Sequence, residues 1–132
     1  MLGKPTLVDT SAWIDYFRRK DVHHSRVLEA TLEEGRAFTA GVIVAELFQG
    51  ASSDEELRAI DHLVSVVQMV EETPGIWMEA GRLSYRLRRQ GLTIHIIDCY
   101  LAALAAAHRL QILSLDHHFR TLARFVPIQL AG

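Results

Sequence analysis

Short apolar runs alternate along this chain with longer stretches in which apolar residues recur at helical spacing. The runs predict buried β-strands, and the stretches predict amphipathic helices. The predicted strands cover Pro5 to Val8, Ala37 to Thr39, Val66 to Val70, Ile112 to Leu115 and a possible edge strand from Val126 to Leu130. The third run could instead continue the preceding helix. The alternation indicates an α/β fold with a central parallel sheet of four to five short strands flanked by helices.

The predicted helices start and stop at residues typical of helix termini. We expect Thr10 or Ser11 to cap the first helix and Asp54 to cap the fourth, whereas Thr73 and Pro74 open the fifth. The other predicted helices run from His24 to Glu34, Val42 to Gln49, Ile97 to His108 and Phe119 to Arg124. Helix ends are predicted at Gly35, Gly50 and Gly91.

The bulk composition fits one domain that spans residues 1–132, because 49% of the residues are hydrophobic and no linker or repeat divides the chain. The apolar runs are far shorter than the ~20 residues that cross a bilayer. Met1 to Thr10 lacks the pattern of a secretory signal. Because Cys99 is the single cysteine, an intrachain disulfide is excluded. We therefore expect a cytoplasmic protein without a membrane partner.

Four acids stand apart because each follows or interrupts an apolar run: Asp9, Glu46, Asp98 and Asp116. A carboxylate removed from water is unfavourable unless it meets a cation or hydrogen-bond donors. Taken singly, Asp9 could cap a helix, and Glu46 could be an exposed residue of an amphipathic helix. Asp98 could interact with a helix dipole, and Asp116 could be a turn residue. Four such acids in one chain favour a shared explanation.

Topology can bring these four acids together. Asp9 and Asp116 follow predicted parallel strands, whose carboxyl ends open onto one crevice, and Glu46 and Asp98 lie near helix starts that can face the same rim. Carboxylates without clustered cysteines favour Mg²⁺ or Mn²⁺, and such an ion suits phosphodiester hydrolysis by activated water. The formal net charge is −2, but setting aside four of the 16 acids leaves 12 against 14 bases, a balance of +2. The remaining surface is therefore mildly basic.

Four segments carry a family resemblance that covers nearly the whole chain. They are Leu7-Val8-Asp9-Thr10-Ser11, Val44-Ala45-Glu46-Leu47 with Gly50, Gly91-Leu92 leading to Ile97-Asp98 and Ala102-Ala103, and Leu113-Ser114-Leu115-Asp116-His117-His118-Phe119. In this order and spacing they resemble the motifs of the PIN-domain nucleases, and especially those of the VapC-like toxins of bacterial toxin–antitoxin pairs.

The resemblance implies a single PIN-like domain and a metal-dependent endoribonuclease that uses Mg²⁺ or Mn²⁺. The family's catalytic, metal-binding acids map onto Asp9, Glu46, Asp98 and Asp116. The implied partners are an RNA substrate, a cognate VapB-like antitoxin and a second copy of the chain in a homodimer. In similar proteins a hydroxyl near the first acid holds a metal-bound water, so Thr10 or Ser11 could do so here, although a helix cap explains both equally well. Thr10 is taken as the accessory candidate.

The last motif departs from the family pattern. It often carries a second acid two residues after its first, where this chain has His118. Adjacent residues such as His117 and His118 cannot both face one site from a regular helix or strand, so we assign no metal-ligand role to the histidines. The roles of His95, His117 and His118 stay open. Cys99 is expected to be a small buried residue without chemistry.

Three arginines fall on one face of the fifth predicted helix: Arg82, Arg86 and Arg89. A basic stripe attracts a polyanion, which makes them candidates for RNA phosphate contacts. A solvated helix face explains them equally well.

Two other functions remain as alternatives. One is a non-catalytic PIN-like binding module, which would bind metal without cutting RNA. The other is a phosphoryl-transfer or signalling α/β domain, since such domains also place acids at strand ends. Ser11 stands where an aspartate-nucleophile phosphatase would have its second acid, and lysine occurs only at positions 4 and 20, which disfavours a receiver domain.

Overall fold

The sheet has four parallel strands in the computed structural model, which describes residues 3–18 and 22–132. The strands are β1 (Thr6–Val8), β2 (Ala37–Thr39), β3 (Gln68–Met69) and β4 (Gln111–Leu113). Their order is β3-β2-β1-β4, so β1 is central and pairs with both β2 and β4. The α/β class and the parallel sheet are confirmed.

Seven helices flank this sheet within the described residues. They are α1 (Thr10–Arg18), α2 (Val22–Glu33), α3 (Gly41–Gln49), α4 (Asp54–Val66), α5 (Pro74–Arg89), α6 (Ile96–His108) and α7 (His118–Leu122). Every predicted helix is present, with ends shifted by one or two residues. Among the described residues, no helix is both long enough and apolar enough to cross a membrane.

The predicted strands were longer than the observed ones, and the difference is largest at two places. The third has two residues because α4 continues to Val66 before the chain extends. The possible edge strand from Val126 to Leu130 is reduced to an isolated parallel bridge between Ile112 and Leu130. The sheet therefore has four strands among the described residues, the lower end of the predicted range.

Two predicted helix caps were wrong. Ser53, and not Asp54, caps α4, because the Ser53 hydroxyl accepts a hydrogen bond from the Glu56 N–H at 3.1 Å. Asp54 is the first helical residue, where its charge suits the helix dipole. Helix α1 begins at Thr10 itself, and the hydroxyls of Thr10 and Ser11 donate to carboxylates of the acidic site.

Helix α5 ends as predicted at a glycine. Gly91 has φ +78°, a left-handed conformation that favours glycine. Its N–H donates to the Arg88 carbonyl and the Leu92 N–H donates to the Leu87 carbonyl, both at 2.9 Å, which is the Schellman pattern. The chain is thereby turned back so that α6 packs along α5.

Helix α6 forms the centre of the core. Tyr100, Leu101 and Leu104 are fully buried on it, and Cys99 is also buried, as expected. The Tyr100 ring stacks on Trp77 of α5, with ring centroids 3.7 Å apart. Because Asp98 lies in the first turn of this helix, the same packing that buries α6 fixes the position of that acid.

Candidate active site

The candidate site lies at the carboxyl edge of the sheet. Asp9 directly follows the central strand β1, and Ser114 directly follows its neighbour β4. Helix α3, which carries Glu46, begins two residues after β2. Parallel strands all point their carboxyl ends to one edge, so the topology brings these residues together from distant parts of the sequence.

Asp9 is held by two serine hydroxyls. Its Oδ2 accepts hydrogen bonds from Ser11 Oγ at 2.9 Å and from Ser114 Oγ at 2.8 Å. The carboxylate is almost buried, with 8% of the residue exposed. These two bonds fix the orientation of the Asp9 carboxylate and partly compensate for its removal from water.

The same hydroxyls also hold the chain that leads to Asp116. Ser11 Oγ accepts from the Leu115 N–H at 3.0 Å, and Ser114 Oγ accepts from the Asp116 N–H at 2.9 Å. Asp9 and the last acidic motif are therefore joined through one short network of hydrogen bonds.

Asp98, Asp116 and His118 form a close cluster. One ligand atom from each lies within 4.8 Å of the others. His118 Nδ1 is 3.1 Å from Asp98 Oδ2 and 3.4 Å from Asp116 Oδ1, and the His118 backbone N–H donates to Asp116 Oδ1 at 2.9 Å. The imidazole therefore lies between two of the sequence-predicted acids.

Burial and nearby negative charge both raise the pKa of Asp98. Burial of the carboxyl is the larger cause, and the charges of Asp116 and Asp9 raise the pKa further. The hydrogen bond with His118 and the electrostatic interaction with its ring act in the opposite direction. Asp9, Asp98 and Asp116 are thus near enough to repel one another, which a bound cation would relieve.

Glu46 reaches the site from a different side. Its Oε1 accepts a hydrogen bond from Thr10 Oγ1 at 2.8 Å, and its side chain is half-buried on α3. Thr10 thereby ties Glu46 to the residue after Asp9. Glu46 is not part of the cluster of ligand atoms within 4.8 Å, so the structure links it to the other acids through Thr10.

The donor atoms fit a divalent cation of the Mg²⁺ or Mn²⁺ type. Three crowded carboxylates provide hard oxygen ligands, and their mutual repulsion favours a positive charge between them. Asp9, Asp98 and Asp116 could hold the ion, and Glu46 could reach it directly or through a water. The fit rests on donor chemistry and on the perturbed Asp98 carboxyl.

A cavity of about 380 Å³ opens beside Asp116. Its lining includes His24, His117 and Arg120, and it extends to the carboxyl-terminal residues. These groups can donate hydrogen bonds or carry positive charge next to the acids. The arrangement suits a ligand with a phosphate near Asp116.

The predicted arginine candidates lie elsewhere on α5. The Arg82 guanidinium pairs with Glu79 at 2.7 Å, on an exposed surface. Arg86 lines a different groove, together with Ala103 and Phe125. Contact of Arg82, Arg86 and Arg89 with RNA stays a prediction.

Two functional candidates were missed or undervalued from the sequence. Ser114 was not singled out, although it is a polar residue between Leu113 and Leu115 and two positions before Asp116. His118 was noted as a departure from the family pattern and was given no role. Two adjacent histidines cannot both face one site, but one of them can, so His118 alone was not excluded.

Comparisons with known proteins identify the family and agree with the fold. The model of the PIN domain family matches residues 6–125. VapC ribonuclease Mb1587 of Mycobacterium bovis and Ribonuclease VapC11 of Mycobacterium tuberculosis are each 34% identical to the chain, over 96% of this chain and 97% of theirs. A chain of VapBC2 from Rickettsia felis, solved with a DNA fragment from their promoter, has a TM-score of 0.77 at 17% identity, with 96% of both chains covered. This last likeness concerns the fold.

Proposed function

The chain belongs to the PIN-domain family, and from this premise we propose that it is a metal-dependent endoribonuclease of the VapC type, the toxin of a toxin–antitoxin pair. The observation that carries the proposal is the convergence of three acids at one edge of the sheet. Asp98 and Asp116 lie in one cluster, and Ser114 joins Asp9 to Asp116 by hydrogen bonds. The 34% sequence identity to two VapC ribonucleases, over nearly the full chain, supports the ribonuclease activity.

We assign metal binding to Asp9, Asp98 and Asp116, with Glu46 as the fourth acid of the site. A divalent ion supplies an activated water and stabilises negative charge on the oxygens of the phosphate. Ser11 and Ser114 hold the Asp9 carboxylate in one orientation. Mg²⁺ and Mn²⁺ are the ions that the carboxylate oxygens favour.

The side chains around the cavity beside Asp116 are suited to bind the RNA substrate. His24, His117 and Arg120 line the cavity beside Asp116, and they can hold an RNA phosphate next to the acids. Thr10 donates to Glu46 and so positions that carboxylate. Acids that bind the ion and basic groups that bind phosphate together suit hydrolysis of a polyanion.

The proposed partners follow from the family. They are an RNA substrate, a VapB-like antitoxin that blocks the acidic groove, and a second copy of the chain in a homodimer. A solved structure of similar fold, VapBC-5 from Mycobacterium tuberculosis, belongs to the VapBC family of toxin–antitoxin systems, which supports an antitoxin as partner. The proposal also places the protein in the cytoplasm, where its RNA substrate would be.

The test is cleavage of a mixed cellular RNA pool by the purified chain with Mg²⁺, with Mn²⁺ or with excess EDTA. We expect cleavage with either metal, loss of cleavage in EDTA, and loss in Asp9→Asn. Asp61→Asn is the matched control, because Asp61 is an exposed aspartate on α4 away from the acidic network. Metal binding without cleavage of any RNA by the wild type would instead support a non-catalytic module.

A further inference from the structure

His118 occupies the position between two acids of the proposed metal site. Its Nδ1 lies 3.1 Å from Asp98 Oδ2 and 3.4 Å from Asp116 Oδ1. The neighbouring His117 lines the cavity beside the cluster instead. Of the two adjacent histidines, the structure therefore directs one to the acids and the other to the cavity.

A hydrogen bond to the carboxylates explains part of this geometry, but the distances also match shared coordination. Ligand atoms about 2.1 Å from one ion and at right angles to each other are separated by about 3.0 Å. The two distances from His118 Nδ1 are close to this value. His118 Nδ1 therefore lies at a distance from each carboxylate at which the two groups could share an ion after a contraction of a few tenths of an ångström.

The backbone restrains the imidazole near this position. The His118 N–H donates to Asp116 Oδ1 at 2.9 Å, so the residue is anchored directly to one of the acids. The side chain is 48% exposed, so an ion can reach the imidazole from solvent.

We infer that His118 is a nitrogen ligand of the metal centre and that it shifts the preference of the site from Mg²⁺ towards Mn²⁺. Mg²⁺ prefers oxygen ligands, whereas imidazole nitrogen binds transition-metal ions more strongly. The inference rests on the proposed function, because it concerns the ion of the same acidic site. The inference places a nitrogen ligand at position 118, where the family pattern often has a carboxylate.

The test uses Mn²⁺ as the probe and does not depend on RNA cleavage. Purified wild type, His118→Asp, His118→Ala and His117→Ala are loaded with Mn²⁺, and electron spin echo modulation reports nitrogen coupled to the ion. We expect nitrogen modulation in the wild type and in His117→Ala, and its loss in both His118 variants. In Mg²⁺ competition, His118→Asp should reduce the preference for Mn²⁺ on the order of tenfold.

His117→Ala is the matched control because it removes an adjacent, exposed imidazole that is outside the cluster. Two His118 variants are used so that failure of one to fold, checked by circular dichroism, leaves the other. Nitrogen modulation that survives in a folded His118 variant would come from another residue and would overturn the inference. Absence of Mn²⁺ binding by the wild type would overturn it as well.

The outcome also separates this inference from the proposed function. If Mn²⁺ binds to the wild type without nitrogen modulation and the same sample cleaves RNA, the nuclease proposal stands and the role of His118 is rejected. If nitrogen modulation is present and no RNA is cut in any condition, the His118 ligand stands and the nuclease proposal is rejected.

Discussion

Replacing Asp98 with asparagine tests whether the acidic cluster destabilises the metal-free fold. Burial and the charges of Asp116 and Asp9 raise the pKa of the Asp98 carboxyl above its usual 3.8, although His118 opposes the shift. The folded protein therefore holds this proton more tightly than the unfolded chain does. The stabilising contribution is present below the usual pKa and is lost as the pH rises through the raised pKa. Asparagine has a similar shape and no charge, so the variant should have the higher free energy of unfolding only at neutral pH, where Asp98 of the wild type is ionised.

The magnitude follows from the distance between the charges. The ligand atoms of Asp98 and Asp116 lie within 4.8 Å of each other. At this upper bound of the separation, two unit charges repel by roughly 0.9 kcal/mol at the dielectric constant of water and by roughly 3.5 kcal/mol at an effective value of 20. Weakening the His118 hydrogen bond to Asp98 offsets about 1 kcal/mol of this relief. We expect the metal-free variant to gain about 1 kcal/mol in free energy of unfolding, or roughly 3–5 °C in Tm.

The assay is urea denaturation of wild type and Asp98→Asn in EDTA, at neutral pH and again below the usual pKa of aspartate. Adding Mn²⁺ should stabilise the wild type by an amount that grows with the ratio of free Mn²⁺ to its Kd, and should stabilise the variant less, because the loss of a ligand raises the Kd. Asp61→Asn, on the exposed face of α4, controls for removal of any acid. A variant that is less stable than wild type in EDTA at neutral pH, or that gains as much from Mn²⁺, would refute the reasoning.

Three further predictions use the same measurements. Ser114→Ala removes a hydroxyl that donates to Asp9 Oδ2 at 2.8 Å, so Mn²⁺ affinity measured by calorimetry should fall on the order of tenfold, and unchanged affinity would contradict a positioning role. Glu72→Ala removes the acceptor of the Tyr100 hydroxyl, so urea denaturation should show a free energy of unfolding lower by about 1–3 kcal/mol. Glu72→Gln should recover part of this loss, because the amide oxygen can accept the same hydrogen bond. Leu101→Ala opens a cavity at a fully buried position and should lower the free energy of unfolding by about 2–5 kcal/mol in the same assay. A loss below about 1 kcal/mol would mean that the core collapses around the gap.

Much of the fold could be predicted because its signals are local. The alternation of apolar runs with helical spacing identifies the strands, and the glycine at the end of α5 identifies its stop. The rule that ligands bind at the carboxyl ends of parallel strands then placed Asp9 and Asp116 at one edge. Asp98 and Glu46 stood out because carboxylates are unfavourable inside apolar sequence.

The roles of the hydroxyl residues could not be predicted from local signals. A threonine or serine at a strand–helix junction is typical of a helix cap, and that interpretation was wrong for Thr10 and Ser11. Thr10 donates to Glu46, 36 residues later, and Ser11 contacts Ser114, 103 residues later. Such contacts depend on how α1, α3 and β4 pack around β1, which a single local pattern does not contain.

The register between β1 and β4 determines the geometry around Asp9. Val8 pairs with Leu113, and the Asp9 N–H donates to the Leu113 carbonyl at 2.9 Å, so the next residue, Ser114, lies beside the Asp9 carboxylate. Ile112 and Leu113 point to opposite faces of the sheet and are both buried. A slip of one residue would turn Ser114 to the opposite face and would move each of these side chains into the packing of the other face. The packing that selects the register therefore also positions the serine. His118 lies outside this constraint on the short helix α7, so its identity can change the ligand set while the strands that hold Asp9 stay the same.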